Sequence, residues 1–144
     1  MPNTTSTTDA VQDEPIAIYR GPIVHGQGRG KTVGMPTANL EMRQHEITVP
    51  PGVYASRITV KGALHLSLTN IGTRPTVDDL PHLTVETHIL DFDQDIYGEE
   101  VTLEIYRFLR CVQKFSVLDQ VKEQVQRDIL ETRRYFGLGL PGAG

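Results

Sequence analysis

Short runs in which apolar and polar residues alternate occupy most of this chain, and a helical pattern occurs once, near its end. Such alternation is typical of β-strands, because successive side chains of a strand point to opposite faces. We predict strands over residues 16–24, 52–60, 63–70, 83–92 and 101–109. Lys61-Gly62 is the predicted tight turn of a hairpin. Consecutive strands without intervening helices argue against a parallel α/β sheet.

One amphipathic helix is predicted from about Val117 to Arg134. Its apolar residues follow spacings of three, four and four, and they are Leu118, Val121, Val125 and Ile129. Ser116 is the predicted N-cap with Asp119 as its capping-box partner, and Gly137 is predicted to end the helix. The sequence therefore predicts a mainly β fold, a small antiparallel barrel or sandwich with one helix packed on it.

The two ends of the chain differ from the region between them. Residues 1–14 are polar and residues 137–144 are rich in glycine and proline, so we predict a disordered tail and a flexible end around one domain at residues 15–136. The chain has 14 Lys and Arg against 18 Asp and Glu, and three of the acids lie in the first 14 residues, which contain no Lys or Arg. The remainder, 14 against 15, is nearly neutral, which argues against nucleic-acid and membrane partners.

Cysteine and histidine content excludes two kinds of structural site. Cys111 is the only cysteine, which rules out an internal disulfide and a cysteine-built zinc site. The five histidines are scattered without the paired spacing of zinc ligands. No run approaches the roughly 18 apolar residues of a membrane helix, and no secretory signal opens the sequence, so we expect a cytoplasmic protein.

Four glycines in nine residues distinguish the segment Gly26–Gly34, which also contains Arg29 and Lys31. Backbone N–H groups in such a segment can form a nest that binds an anion, and the alternative is an ordinary surface loop. A Walker A phosphate loop does not fit, because His25 occupies the place of its first glycine and Gly34 and Pro36 follow where a helix should begin.

Pro36-Thr-Ala-Asn39 follows this glycine-rich segment directly. In an extended backbone Thr37 and Asn39 point to one face. Their hydroxyl and amide oxygens are hard ligands that can hold Mg²⁺, with waters and phosphate oxygens completing the octahedron. The alternative is a turn in which both side chains bond nearby backbone groups.

The strand predicted over residues 83–92 carries a carboxylate at its centre. Leu83, Val85, Thr87 and Ile89 share one face of this strand, and Glu86 lies on the other face with Thr84, His88, Leu90 and Phe92. A carboxylate beside apolar groups can be partly desolvated and then acts as a better base. The alternative is a glutamate at the rim of the sheet, paired with a nearby cation.

Residues 108–115 join the last strand to the helix and combine arginine with aromatic residues. This composition can cover a flat ring system by stacking. For Phe115, next to the predicted cap, the alternative is a hydrophobic staple at the start of the helix.

These segments, in this order, resemble riboflavin kinase, also called flavokinase. The resemblance covers about residues 16–135. It rests on Gly21-Pro-Ile-Val-His-Gly26, Gly28-Arg-Gly-Lys31, Gly34-Met-Pro-Thr-Ala-Asn-Leu40, Gly52-Val-Tyr54, Asn70-Ile-Gly-Thr-Arg-Pro-Thr76, Glu86-Thr-His-Ile-Leu-Asp-Phe92, Asp95-Ile-Tyr-Gly98, Leu109-Arg110 and Lys114-Phe115.

The resemblance implies a six-stranded Greek-key barrel with a C-terminal helix, and the reaction of riboflavin with ATP to give FMN and ADP. It implies that Glu86 is the catalytic base for the ribityl 5′-hydroxyl and that Thr37 and Asn39 hold Mg²⁺ or another divalent cation. The ATP-binding residues that it implies are Gly26, Lys31, Thr37, Ile89, Asp91 and Tyr97. The residues that it implies for flavin binding are Arg110 and Gln113.

The family's bacterial members are often fused to an adenylyltransferase domain that makes FAD. Fourteen polar residues cannot form that domain, so we expect a stand-alone, monomeric kinase that stops at FMN. The alternative is a non-catalytic flavin- or nucleotide-binding regulatory module, although such a binder has no need of a base beside a metal site. A barrel that binds oligonucleotides is disfavoured by the near-neutral charge.

Overall fold

The computed structural model describes residues 14–25, 37–74, 82–113 and 116–137. These residues form the strands β1 (Ala17–Val24), β2 (Ala38–Leu40), β3 (Gly52–Val60), β4 (Ala63–Arg74), β5 (His82–Ile89) and β6 (Glu100–Arg110), and the helix α1 (Leu118–Phe136). A 3-10 turn spans Gln44–Glu46. Nearly all of the predicted tail and flexible end, residues 1–13 and 138–144, lie outside the described residues.

The six strands close into a barrel in the order β1-β2-β5-β4-β3-β6, and every neighbouring pair is antiparallel. β6 lies beside β3 at one side of the run β3-β4-β5, which is the Greek-key arrangement. The predicted six-stranded antiparallel barrel with a C-terminal helix is thereby confirmed. Closure gives each described strand two neighbours and removes the free edges that promote unwanted pairing.

The barrel interior combines an apolar core with a belt of hydroxyl groups. Fully buried core residues include Tyr54, Ile58, Ile71, Leu103 and Ile105. The belt consists of side chains on β3, β4 and β5: Ser56 Oγ lies 2.7 Å from both Ser67 Oγ and Thr69 Oγ1, and Thr69 Oγ1 lies 3.1 Å from Thr87 Oγ1. These buried hydroxyls bond to one another, so they carry little of the usual cost of burying polar groups.

Tyr54 is buried in the core near the start of β3. Its hydroxyl donates a 2.6 Å hydrogen bond to the Pro50 carbonyl, and its ring makes an edge contact with Phe108. Burial, together with the neighbouring Tyr19, raises the pKa of Tyr54 above its ordinary value of 10.0. This tyrosine therefore stays neutral at physiological pH and serves as a hydrogen-bond donor within the fold.

The predicted strands agree with the observed ones in position, but two of their C-terminal ends differ by more than one residue. The strand over residues 52–60 and the Lys61-Gly62 turn are confirmed, whereas β4 continues beyond residue 70 to Arg74. β5 ends at Ile89, three residues earlier than predicted, because the chain turns at Leu90 and Asp91, where Asp91 has a φ of 55°. β2 is an additional strand of three residues, too short to show a period of its own.

Helix α1 packs on the outer surface of the barrel. Phe136 is buried against Ala55 and Tyr106, with the two rings edge to face at 5.2 Å. The buried positions are Asp128, Thr132 and Phe136, which continue the side of the helix that carries Val121 and Val125, whereas Leu118 at the start of the predicted stripe is exposed. Within the described residues, no helix combines the length and the apolar character needed to cross a membrane.

The predicted N-cap of α1 is wrong, and the predicted role of Gly137 at its end is confirmed. Val117 is the N-cap and no side chain caps the helix there, so the Ser116 and Asp119 capping box does not form. At the other end Gly137 has a φ of 74°, a backbone conformation that glycine adopts without strain. Its N–H donates a hydrogen bond to the Arg133 carbonyl, which ends the helix.

Candidate active site

Three polar side chains lie side by side on the outer face of the barrel, one on each of three neighbouring strands. Glu86 of β5 stands directly opposite Asn39 of β2 and directly opposite Asn70 of β4. Residues paired in this way point to the same face, about 5 Å apart. Val85 and Ile89 belong to the core, which places Glu86 on the outward face as the alternation predicted. We call Asn39, Glu86 and Asn70 the polar row.

Thr37 immediately precedes β2 and is exposed. It lies two residues before Asn39, so an extended backbone directs both side chains to one face. If the β2–β5 register is continued by one residue beyond the Ala38–Thr87 pair, Thr37 stands opposite His88. The fold therefore brings the predicted metal ligands Thr37 and Asn39 to the same part of the surface as Glu86.

The end of the barrel beside Thr37 also holds two of the residues predicted to bind ATP. Ile89, the last residue of β5, packs its side chain into the barrel core and is 6% exposed. Asp91 follows at the turn, and its two carboxylate oxygens lie 3.1 Å and 3.3 Å from Arg133 Nη2 of α1. Of the two, only the Asp91 side chain is exposed at the surface.

Tyr97 is stacked on His25, with ring centroids 3.7 Å apart and planes inclined by 17°. The segment that contains Tyr97 is hydrogen-bonded to β1, since Gly98 N, next to Tyr97, donates to the Ile23 carbonyl at 2.9 Å. His25 directly follows Val24, and Val24 is paired with Asn39 of β2. The stacked pair therefore lies close to Asn39. Gly26 and Lys31, the remaining predicted ATP-binding residues, lie outside the described residues.

Arg110, predicted to bind flavin, is bonded to the helix. Its Nε lies 3.0 Å and 3.1 Å from the two carboxylate oxygens of Asp128, and its Nη2 lies 2.8 Å from Oδ2. Gln124 donates a further 3.0 Å bond to Asp128, which is 3% exposed. The guanidinium at the end of β6 therefore has a fixed orientation. Gln113, the other predicted flavin residue, is exposed three residues farther along the chain.

A groove of about 470 Å³ lies between the end of β6 and α1. It is lined by Arg107, Phe108, Leu109 and Arg110 from the strand, and by Gln124, Arg127, Asp128, Leu130, Glu131 and Arg134 from the helix. Phe108 and Leu130 are each nearly half exposed, so the groove offers apolar surface beside arginines. Such a lining suits a flat, partly polar ring system.

The groove and the polar row lie on one line across the barrel. Glu86 pairs with Asn70, Asn70 pairs with Val53, and Val53 pairs with Arg110. Three strand spacings separate Glu86 from Arg110, which is roughly 14 Å. A molecule with a ring at one end and a chain at the other can therefore reach from the groove to Glu86.

Two residues of this region were given no role in the sequence analysis. Asn70 was noted only as part of a motif, because the register that sets Asn70 opposite Glu86 cannot be read from either strand alone. Asp128 could have been found from the sequence, since it follows Val121 and Val125 on one side of the helix. An acid on the buried side of a helix requires a partner.

A comparison with family models matches residues 14–136 to the flavokinase model, described as riboflavin kinase. Among curated proteins, the bifunctional riboflavin kinase/FMN adenylyltransferase of Listeria monocytogenes is 38% identical over 117 residues, covering 81% of this chain and 37% of that protein. The chain thus spans about two fifths of the length of such relatives.

Two solved structures share the fold. A chain described as a macrolide-efflux protein from Streptococcus pneumoniae matches with a TM-score of 0.76 and 31% identity, covering 92% of this chain and 46% of that chain. Riboflavin kinase from Trypanosoma brucei matches with a TM-score of 0.58 and 23% identity, covering 88% of this chain and 79% of that one. The second likeness shows the barrel fold alone.

Proposed function

The chain belongs to the riboflavin kinase family, and we propose on this premise that it transfers the γ-phosphate of ATP to the 5′-hydroxyl of riboflavin, giving FMN and ADP. The observation that carries the proposal is the placement of Glu86 directly opposite Asn39 on the outer face of the barrel. This arrangement sets a proton acceptor beside an amide oxygen suited to a metal-bound phosphate.

Glu86 acts as the base in this proposal. Its carboxylate takes the proton of the 5′-hydroxyl while the hydroxyl oxygen forms a bond to the γ-phosphorus and the bond from that phosphorus to ADP breaks. Phosphoryl transfer requires mainly alignment and compensation of charge, so the contribution of the protein is largely positional. A rigid strand pair is a suitable support, because register fixes the distance between Glu86 and Asn39.

The donor set near Glu86 fits Mg²⁺ of the kind that accompanies ATP. Among the described residues no cluster of three or more His, Cys, Asp or Glu side chains suits a metal ion, so a carboxylate cage does not occur there. Mg²⁺ bound with ATP needs few protein ligands, since phosphate oxygens and waters fill most of its octahedron. Thr37 and Asn39 would hold it, and the ion would neutralise charge on the transferring phosphate.

The nucleotide is proposed to bind at the end of the barrel where β1 and β5 finish and β2 begins. Thr37, Asp91 and the stacked pair of Tyr97 and His25 lie there. An exposed aromatic ring suits stacking on a purine. Ile89 would contact the nucleotide through its backbone groups, because its side chain is buried in the core. Gly26 and Lys31 remain predictions from the resemblance.

The flavin ring is proposed to occupy the groove beside Arg110 and Phe108, with Gln113 near its entrance. Asp128 fixes the plane of the Arg110 guanidinium, which can then stack on a flat ring without losing further side-chain entropy. The ribityl chain would then run along the line that leads from Arg110 to Glu86.

We propose a monomer that acts in the cytoplasm on two small-molecule substrates, riboflavin and ATP, without nucleic-acid or membrane partners. The closed barrel supports the monomer, since paired strands offer no edge for another copy. The near balance of 14 basic against 15 acidic residues beyond residue 14 supports the absence of a polyanionic partner.

Incubation of the protein with riboflavin, ATP and Mg²⁺, followed by chromatography of the flavins, tests the proposed reaction. FMN should accumulate in an amount equal to the ADP formed. Riboflavin binding without FMN formation would favour the alternative, a non-catalytic flavin- or nucleotide-binding regulatory module.

Replacing Thr37 with alanine should increase the Mg²⁺ concentration needed for half-maximal activity by about tenfold or more, since metal sites commonly lose 10- to 100-fold on loss of one supporting group. The measurement is a Mg²⁺ titration of FMN formation at saturating riboflavin. Thr102→Ala, on the outer face of β6 away from the polar row, is the matched control and should titrate like the parent. An unchanged titration for Thr37→Ala would remove it from the ligand set.

A further inference from the structure

The side-chain oxygen of Asn70 is buried and has no hydrogen-bond partner among the described residues. Asn70 is the member of the polar row that neither the sequence analysis nor the proposed reaction uses. Buried amide oxygens are almost always bonded, because leaving one unsatisfied costs stability. An acceptor left in this state next to Glu86 points to a donor that arrives with a ligand.

The space beside the Asn70 oxygen is bordered by a residue that has no side chain. Gly72 is the next residue of β4 on the same face, and it has no side chain. A Cβ atom built at Gly72 would lie 3.8 Å from Asn70 Oδ1 and 3.3 Å from Thr84 Oγ1. A side chain at this position would therefore press on Thr84 and lie against the amide oxygen, a crowding that glycine avoids.

The position of Asn70 identifies the chemistry of the donor. It lies between Glu86 and Arg110 on the line that crosses the barrel. In the proposed function, which this inference presupposes, riboflavin places its ring near Arg110 and its terminal hydroxyl at Glu86. The segment that passes Asn70 is then the polyol chain, whose secondary hydroxyls donate hydrogen bonds that an amide oxygen accepts.

We propose that Asn70 Oδ1 accepts a hydrogen bond from a secondary hydroxyl of the ribityl chain and thereby directs the 5′-hydroxyl towards Glu86. Asn70 is thus a substrate-binding residue that selects flavins with a polyol chain over flavins without one. A bond made to a ligand hydroxyl also explains why the site keeps an unsatisfied acceptor when the ligand is absent.

The variant Asn70→Leu tests this, because leucine has a similar size and no acceptor. Dissociation constants for riboflavin and for lumiflavin, which carries a methyl group in place of the ribityl chain, are measured by flavin fluorescence in the presence of Mg²⁺ and ADP. Riboflavin should bind about tenfold more weakly to the variant, the effect of one lost hydrogen bond, while lumiflavin binding stays unchanged. The urea midpoint of the free variant should equal or exceed that of the parent, since an unsatisfied buried acceptor is removed.

Thr59→Val is the matched control, since Thr59 is also on the outer face of the sheet but lies six residues from Val53 along β3. It should leave the binding of both flavins unchanged. Equal loss of riboflavin and lumiflavin binding in Asn70→Leu would overturn the proposal, as would unchanged riboflavin binding or a lower urea midpoint. An increased Mg²⁺ requirement with normal riboflavin binding would overturn it in favour of metal ligation.

The parent protein separates this proposal from the proposed reaction. If the parent forms FMN and Asn70→Leu binds riboflavin normally, the role of Asn70 is wrong and the kinase activity stands. If the parent forms no FMN but Asn70→Leu still loses riboflavin selectively over lumiflavin, the activity is wrong and the role of Asn70 stands. A parent that does not bind riboflavin overturns both.

Discussion

Replacing Glu86 with glutamine is expected to lower the turnover number for FMN formation by about 10²- to 10⁴-fold, the range typical of a lost general base. Glutamine keeps the size of the side chain and one acceptor oxygen, so the surroundings of the opposite residues Asn39 and Asn70 change little. It cannot take the proton of the attacking hydroxyl. Riboflavin binding should therefore stay nearly unchanged, as measured by flavin fluorescence alongside steady-state kinetics.

The matched control for this variant is Glu104→Gln. Glu104 is also a partly exposed glutamate on an outward strand face, where it pairs with Arg57 at 3.2 Å. Turnover should be unaffected by its loss. If Glu86→Gln turned over at the rate of the parent, Glu86 would not be the base. If turnover and riboflavin binding fell together, its role would be to shape the site instead.

Replacing Asp128 with alanine is expected to lower the free energy of unfolding by about 3 kcal/mol, at the low end of the range for breaking a buried ion pair. The variant leaves the Arg110 guanidinium, whose side chain is 20% exposed, without the carboxylate that it contacts through Nε and Nη2. Urea unfolding followed by circular dichroism measures the change. The Michaelis constant for riboflavin should rise as well, because Arg110 loses its fixed orientation.

Glu131→Ala is the control, since Glu131 is three residues farther along the same helix. It forms an exposed pair with Arg134 at 3.7 Å, and such pairs contribute about 0–1 kcal/mol. If Asp128→Ala lowered the free energy of unfolding no more than Glu131→Ala does, the buried ion pair would not stabilise the packing of the helix on the barrel. Combining Asp128→Leu with Arg110→Met should recover part of the loss, because neither charge is then left unpaired.

The main elements of this fold were predictable because their patterns are local. Alternation identified β3 and the hairpin to β4, and the helical period and Gly137 identified α1 and its end. The N-cap at Ser116 was wrong because a serine before a helix offers a cap without requiring one. The length of β2 and the order of strands around the barrel depend on pairings between distant segments, which no local pattern encodes.

The same distinction applies to the candidate site. Alternation placed Glu86 on the face opposite Val85 and Ile89, but the sequence does not reveal which residues stand beside it. Asn39 and Asn70 become its neighbours only because β5 inserts between β2 and β4. The assignments to substrate come from the resemblance to riboflavin kinases, whereas the neighbours of Glu86 come from the pairing of β5 with β2 and with β4.

The shortest strand of the barrel carries one of its most important side chains. β2 joins β1 through two residue pairs and β5 through three, far fewer than the other ladders. A ladder of this length is the one that opens at the lowest free energy, so amide hydrogens of residues 38–40 exchange with solvent ahead of those of the longer strands. A ligand that contacts Asn39 binds only the state in which β2 is paired with its neighbours. By mass action, its binding therefore makes the opening of the β2 ladders less frequent.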